Sequence, residues 1–246
     1  MTSGRGTLAL VGAGEFLDSM RQVDAALLER AGGKRVAILP TASAPDGPDV
    51  PQRWAEMGVG HFESIGAQAE AVMALDRDGC HDASKSNAVR RSNLVYFSGG
   101  KPDYLLATLD GTPLWAAVLG VLEKGGVVAG CSAGAMILGG WIPARPAAGT
   151  LSIWREAFGL VHQTLILPHF DEIPAWITRP LGWIRPRRST LVGVDGGTAL
   201  IGRSAGPDGV DPAWQVHGRG RVVVRGGGRS ATYYEGERVA LVRSAG

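Results

Sequence analysis

Apolar residues in this chain come in short unbroken runs, each closed by glycine or proline. Leu8-Ala-Leu-Val11 runs into Gly-Ala-Gly, Val36-Ala-Ile-Leu39 stops at Pro40, Leu94-Val-Tyr-Phe97 precedes Gly99-Gly100, and Val127-Val-Ala129 leads into Gly130. Runs of this length with no polar alternation predict strands buried on both faces, as in a parallel sheet. Between them the spacing turns helical. Ser19 to Ala31 carries Met20, Val23, Leu27 and Leu28 on one face and meets Gly32-Gly33. Helices are also predicted over Pro51–Met57, Gln68–Leu75, Pro102–Leu109 and Pro113–Lys124, and a strand over Phe62–Ile65. Strands alternating with helices imply βαβ units and an α/β fold with a mostly parallel central sheet flanked by helices. Beyond Leu165-Ile-Leu167 the pattern changes. Leu191–Val194, Thr198–Ile201, Trp214–Val216, Val222–Val224 and Arg238–Val242 read as short strands with glycine turns, expected as antiparallel C-terminal additions to the same core. The stretch Ala205–Pro212 reads as a loop rather than a linker. The whole chain, 1–246, is therefore read as one domain.

Composition narrows the function classes. Of 246 residues, 45% are hydrophobic and 20% charged, an ordinary globular balance. The formal charge of +2 is too small to argue for a nucleic-acid partner. No apolar run approaches the roughly 20 residues needed to span a bilayer, so no membrane partner is expected. Two cysteines, Cys80 and Cys131, form neither a CxxC pair nor zinc spacing. The opening MTSGRG leads straight into an apolar run with no export pattern. A reduced, cytoplasmic protein is expected.

The chemistry concentrates at Gly130-Cys-Ser-Ala-Gly134, which fits G-x-S-x-G after a predicted strand and before a predicted helix. A serine at such a turn stands clear of the sheet, while small neighbours let a substrate approach. Ser132 takes the nucleophile position and Cys131 is expected to point into the fold. The amide of Ala133 can donate to an oxyanion. Among the five histidines, His169 ends the apolar strand Leu165–Leu167 and so lies at a carboxyl edge, where open α/β sheets place their sites. His61, His81 and His217 lie in polar or turn-like surroundings and are expected at the surface. The turn Phe97-Ser-Gly-Gly-Lys101 offers a second oxyanion donor, best placed at Gly100. Neither a phosphate-cradling loop nor a metal cluster is present in the motifs, and no metal or organic cofactor is expected.

Taken together, Gly12-Ala-Gly14, Phe97-Ser-Gly-Gly100, Gly130-Cys-Ser-Ala-Gly-Ala135, Pro168-His-Phe170 and Gly193-Val-Asp-Gly-Gly-Thr-Ala199 resemble peptidase family S51, the serine peptidases that include dipeptidase E and cyanophycinase. The resemblance implies a class I glutamine amidotransferase-like, flavodoxin-like fold. It also implies Ser132 as nucleophile, His169 as general base and then acid, and an oxyanion hole from Gly100 and Ala133. The implied substrate is a short peptide cut at an aspartyl or β-aspartyl bond, and the family suggests a homodimer.

The third member of the triad is where the chain departs from that pattern. The dipeptidase branch carries an acid between serine and histidine, but Ala133 to Pro168 holds only Glu156. Asp171, two residues past His169, is the first candidate, followed by Asp195 and Glu156. Arg179 and Arg185, in an arginine-rich stretch after His169, are candidates to grip a substrate carboxylate. Trp176 and Trp183 could line a pocket. The absent acid and the Lys101-Pro102 pair also support an alternative, a binding or regulatory protein with a degenerate site.

Overall fold

The computed structural model describes residues 6–144, 152–203 and 214–241. Strand β1 (Thr7–Val11) leads through a short 3-10 turn into α1 (Arg21–Arg30), β2 (Arg35–Leu39) and α2 (Val50–Ser64). Then come β3 (Gln68–Ala71), α3 (Arg77–His81), α4 (Ala83–Arg91) and β4 (Leu94–Phe97). Two helices, α5 (Pro102–Leu109) and α6 (Pro113–Glu123), precede β5 (Val127–Cys131) and α7 (Ala133–Leu138). The remainder is β6 (Trp141–Pro143), β7 (Trp154–Glu156), β8 (Thr164–Leu167), α8 (Ala175–Ile184), β9 (Thr190–Val194), β10 (Thr198–Arg203), β11 (Trp214–Gly218), β12 (Val222–Gly226), β13 (Arg229–Tyr233) and β14 (Arg238–Val239).

The first sheet has the order β14-β11-β10-β1-β5-β4-β2-β3. Its five strands β1 to β5 pair only in parallel with one another. All residues of β1, β4 and β5 are buried, which is why those segments are apolar throughout. Helices α1 and α2 cover one face with Val23, Leu27 and Phe62, and α4 to α6 cover the other with Val89, Leu105 and Val118. Prolines open α5 and α6, and Thr112 caps α6 by accepting from the Trp115 amide at 3.3 Å. Strand β10 closes the N-terminal side antiparallel to β1, followed by antiparallel β11 and β14. The architecture is the expected α/β fold with a central parallel sheet.

Several elements differ from the sequence reading. The strand expected at Phe62–Ile65 is the last turn of α2, and the helix expected at Gln68–Leu75 is instead β3. Ala55, Gly58, His61 and Phe62 form the buried stripe of α2, and helical spacing wins there. Gly58 is needed where α2 crosses the core, because a Cβ would stand 2.9 Å from Ile38 and from Phe16. As an edge strand, β3 has no apolar pattern to show. The C-terminal strands also divide between two sheets. Strands β10, β11 and β14 extend the first, whereas β9 and β12 belong to a second sheet of order β13-β12-β9-β8-β6-β7. There β9 runs parallel to β8 and antiparallel to β12. Residues 195–197 carry the chain from β9 directly into β10, so the two sheets are joined beside the end of β1. The loop expected at Ala205–Pro212 and the last strand residues from Val242 lie outside the described residues, apart from the strand's beginning at Arg238–Val239.

Candidate active site

The carboxyl ends of β1, β4, β5 and β8 meet at Ser132, and the end of β9 holds Phe170, the residue after His169. Its backbone has φ 51° and ψ −111°, a left-handed conformation that costs a non-glycine residue of order 1–3 kcal/mol. Backbone bonds on both sides hold it there. The Ser132 amide donates to Val11 O at 3.1 Å, and the Met136 amide donates to Ser132 O at 3.0 Å. The two flanking glycines have separate steric causes. A Cβ on Gly130 would lie 2.3 Å from the Gly134 carbonyl carbon, and one on Gly134 would lie 2.7 Å from Phe97 O. Any larger side chain at either position would push the turn away from the sheet. The G-x-S-x-G spacing therefore records how tightly the helix start folds back on the strand ends.

His169 also sits at positive φ, 51°. The next residue explains how it is held. Phe170 donates its amide to Val194 O at 3.1 Å, and its ring lies where a Cβ on Gly193 would be, 2.4 Å away. Anchoring Phe170 in the second sheet turns His169 outward. Its Nε2 stands 3.2 Å from Ser132 Oγ, within hydrogen-bonding distance. Its Nδ1 lies 3.5 Å from Glu172 Oε2, with that carboxylate side chain 70% exposed. The Glu172 amide donates back to His169 O at 3.0 Å, making a one-turn loop that keeps the two side chains together.

The three acids considered from sequence are placed elsewhere. Asp171 Oδ1 accepts the Gly196 amide at 2.7 Å and so ties the β9–β10 junction to the His169 turn. Asp195 is buried and accepts from the Arg221 amide and Nε through Oδ2, at 3.3 and 3.1 Å. Burial raises its pKa, and the Arg221 bonds only partly offset this. Glu156 is exposed on β7 opposite Trp141. The carboxylate in contact with the imidazole, Glu172, was not singled out from sequence, although its three-residue spacing from His169 was available as a signal.

Cys131 is fully buried, and its Sγ lies 3.0 Å from Glu15 Oε2. Burial and the adjacent Glu15 carboxylate push the thiol well above its ordinary range, so it remains an S–H donor. Gly100 has φ 144°, and a Cβ there would lie 2.2 Å from Ala42 O, so only glycine fits. Ala133 follows Ser132 at the start of α7 and is buried. Lys101 Nζ pairs with Asp46 at 3.1 Å.

The arginine-rich stretch runs through α8 and the turn that follows it. Arg185 Nη1 donates to Arg225 O at 2.6 Å, and Arg225 in turn donates to Thr178 O at 3.1 Å. Arg185 is thus occupied in tying the end of α8 to β12. The side chains of Arg179 and Trp183 lie outside the described residues, while Trp176 is exposed. His61, expected at the surface, is buried and lies 2.8 Å from Asp24 Oδ2. His217 is part-buried beside Arg30.

Residues 8–204 match the family model for Peptidase family S51. The chain belongs to peptidase family S51. Over 97% of its length it is similar to a peptidase from an acI-B1 Actinobacterium of known crystal structure, with 32% identity, a TM-score of 0.85 and 98% of that chain covered. It also shares the fold of a protein from Listeria monocytogenes EGD-e provisionally described as peptidase E, at 20% identity and TM-score 0.63, covering 88% of this chain and 100% of that one. No curated protein matches the chain. Membership makes this S51 protein a hydrolase of the peptidase class. Among its described residues, no single helix is long and apolar enough to cross a membrane.

Proposed function

We propose that this S51 protein is a serine peptidase of short peptides, cutting at aspartyl or β-aspartyl bonds, with Ser132 as nucleophile and His169 as base and acid. The observation that carries the reading is the 3.2 Å approach of His169 Nε2 to Ser132 Oγ at the apex of a left-handed turn. In this reading Oγ attacks the scissile carbonyl as its proton passes to Nε2. The amides of Gly100 and Ala133 receive the developing oxyanion. The imidazolium then gives its proton to the leaving amine. Water enters, losing its proton to the same nitrogen, and the acyl–serine bond is hydrolysed. Glu172 favours the imidazolium from the Nδ1 side, and its exposure makes that help modest and salt-sensitive.

The aspartyl preference rests on the family, and a substrate panel tests it. Asp-Xaa dipeptides, β-Asp-Arg and neutral dipeptides are incubated with wild type, Ser132→Ala and His169→Ala. Cleavage of an aspartyl member that disappears in both variants is expected. Undiminished cleavage in either variant refutes the assigned roles, and equal cleavage of the neutral dipeptides refutes the acidic preference.

A further inference from the structure

Glu15 lies beside the site and has no part in the chemistry described above. It follows the Gly14 turn at the end of β1 and is only 6% exposed. Each of its two oxygens takes a donor from a different strand end. Oε1 accepts the Gly99 amide at 2.9 Å, 84 residues along the chain, and Oε2 accepts the Cys131 thiol at 3.0 Å, 116 residues along. The carboxylate thus joins the ends of β1, β4 and β5 at the point where Ser132 emerges. A Cβ on Gly99 would lie 2.9 Å from Glu15 Oε1 and 3.3 Å from Ser132 Cβ, so Glu15, Gly99 and the serine are packed against one another.

The bonds around Gly100 indicate what this does. The Gly99 amide is held by Glu15, and the Lys101 amide donates to Ala42 O at 2.7 Å. The peptide carrying the Gly100 N–H lies between these two fixed points. Building on the serine-peptidase reading above, we propose that Glu15 is a positioning residue that aims the Gly100 amide at the oxyanion. Its oxygen, not its charge, performs this role, because a nearby anion opposes a developing negative charge. Glutamine can present the same oxygen to Gly99 and turn its NH2 towards Cys131 Sγ. Aspartate keeps the charge but withdraws both oxygens by about one C–C bond, roughly 1.5 Å. The two conservative variants therefore separate position from charge, and both are close in size to the native residue.

The test is the rate at which a fluorophosphonate probe labels Ser132, read by intact-protein mass spectrometry. Oγ forms the bond to phosphorus, the P–F bond breaks, fluoride leaves, and His169 takes the serine proton. The phosphonyl oxygen occupies the place of the oxyanion. Wild type, Ser132→Ala, Glu15→Gln and Glu15→Asp are compared, with melting curves to confirm folding. Labelling within about threefold of wild type is expected for Glu15→Gln, and slowing by about tenfold or more for Glu15→Asp. Glu15→Asp labelling at the wild-type rate, or Glu15→Gln slowed as much as Glu15→Asp, overturns the role of Glu15 while leaving Ser132 in place. Wild type that fails to label, or Ser132→Ala that labels, instead overturns the nucleophile assignment itself and this inference with it.

Discussion

The turn at Ser132 stores strain that can be measured without any substrate. Ser132 holds φ 51° and ψ −111° because Val11 O and the Met136 amide fix its two peptide groups. Replacing it by alanine or by glycine removes the contact with His169 in both cases, so that loss cancels in the comparison. Only glycine relieves the left-handed backbone, worth of order 1–3 kcal/mol. Against this, glycine loosens the unfolded chain by about 0.4–1 kcal/mol. The balance favours Ser132→Gly over Ser132→Ala by about 1 kcal/mol. With an unfolding entropy of about 2.1 cal/mol/K per residue, that difference raises Tm by about 2 °C in a chain of 246 residues. Differential scanning calorimetry and urea melts of the two inactive variants read this directly. If Ser132→Gly melts at or below Ser132→Ala, the turn is not strained and the account of its geometry fails. The same pair of substitutions at His169, also at φ 51°, is expected to rank in the same order.

Glu172→Gln should lower kcat/KM by less than about tenfold, with the gap to wild type narrowing as salt is added, since the carboxylate is exposed; a loss as large as that of His169→Ala refutes this modest role. Gly134→Ala should displace the elbow, since its new Cβ would lie 2.7 Å from Phe97 O, and should cost about 1–3 kcal/mol in urea unfolding together with most Ser132 labelling. Burial and the neighbouring Arg30 guanidinium lower the His217 pKa in the fold. The unfolded chain therefore takes up this proton first as pH falls below about 6.5, and stability contributed by neutral His217 is lost towards acid. His217→Gln should flatten that acid-side decline, and an unchanged slope in urea melts across this range contradicts the assignment.

What the sequence reveals depends on whether the deciding interaction is local. A Cβ on Gly130 would meet Gly134 only four residues on, so that half of the spacing marks the elbow locally, whereas Gly134 is confined by Phe97 of β4, a contact that no local pattern shows. His169 follows from a buried strand ending in a polar residue. Its carboxylate partner was harder to read because three acids compete within the site's neighbourhood. Asp171 is nearer in sequence than Glu172, yet its carboxylate is engaged by the Gly196 amide. Glu15 could not be connected to Gly99 or Cys131 by any pattern, since those contacts are made only when β5 lies between β1 and β4. The exchanged assignments at α2 and β3 have a similar origin. The helix gained its last turn from packing on Phe16 and Tyr96, and the strand gained its identity from pairing with β2.

The insertion of β5 between β1 and β4 also has a bearing on biosynthesis. During translation β1 and β4 leave the ribosome with the slot between them empty, and the segment that fills it emerges more than a hundred residues after β1. Such pairing across long sequence distances is slow to form. The serine emerges before the histidine, 37 residues later, and β10 must still close against β1. With Ser132 and His169 in the roles proposed above, a chain that has emerged only as far as β5 holds the nucleophile without its base. On that reading, peptide cleavage waits on synthesis of β8 and of the turn after it that carries His169.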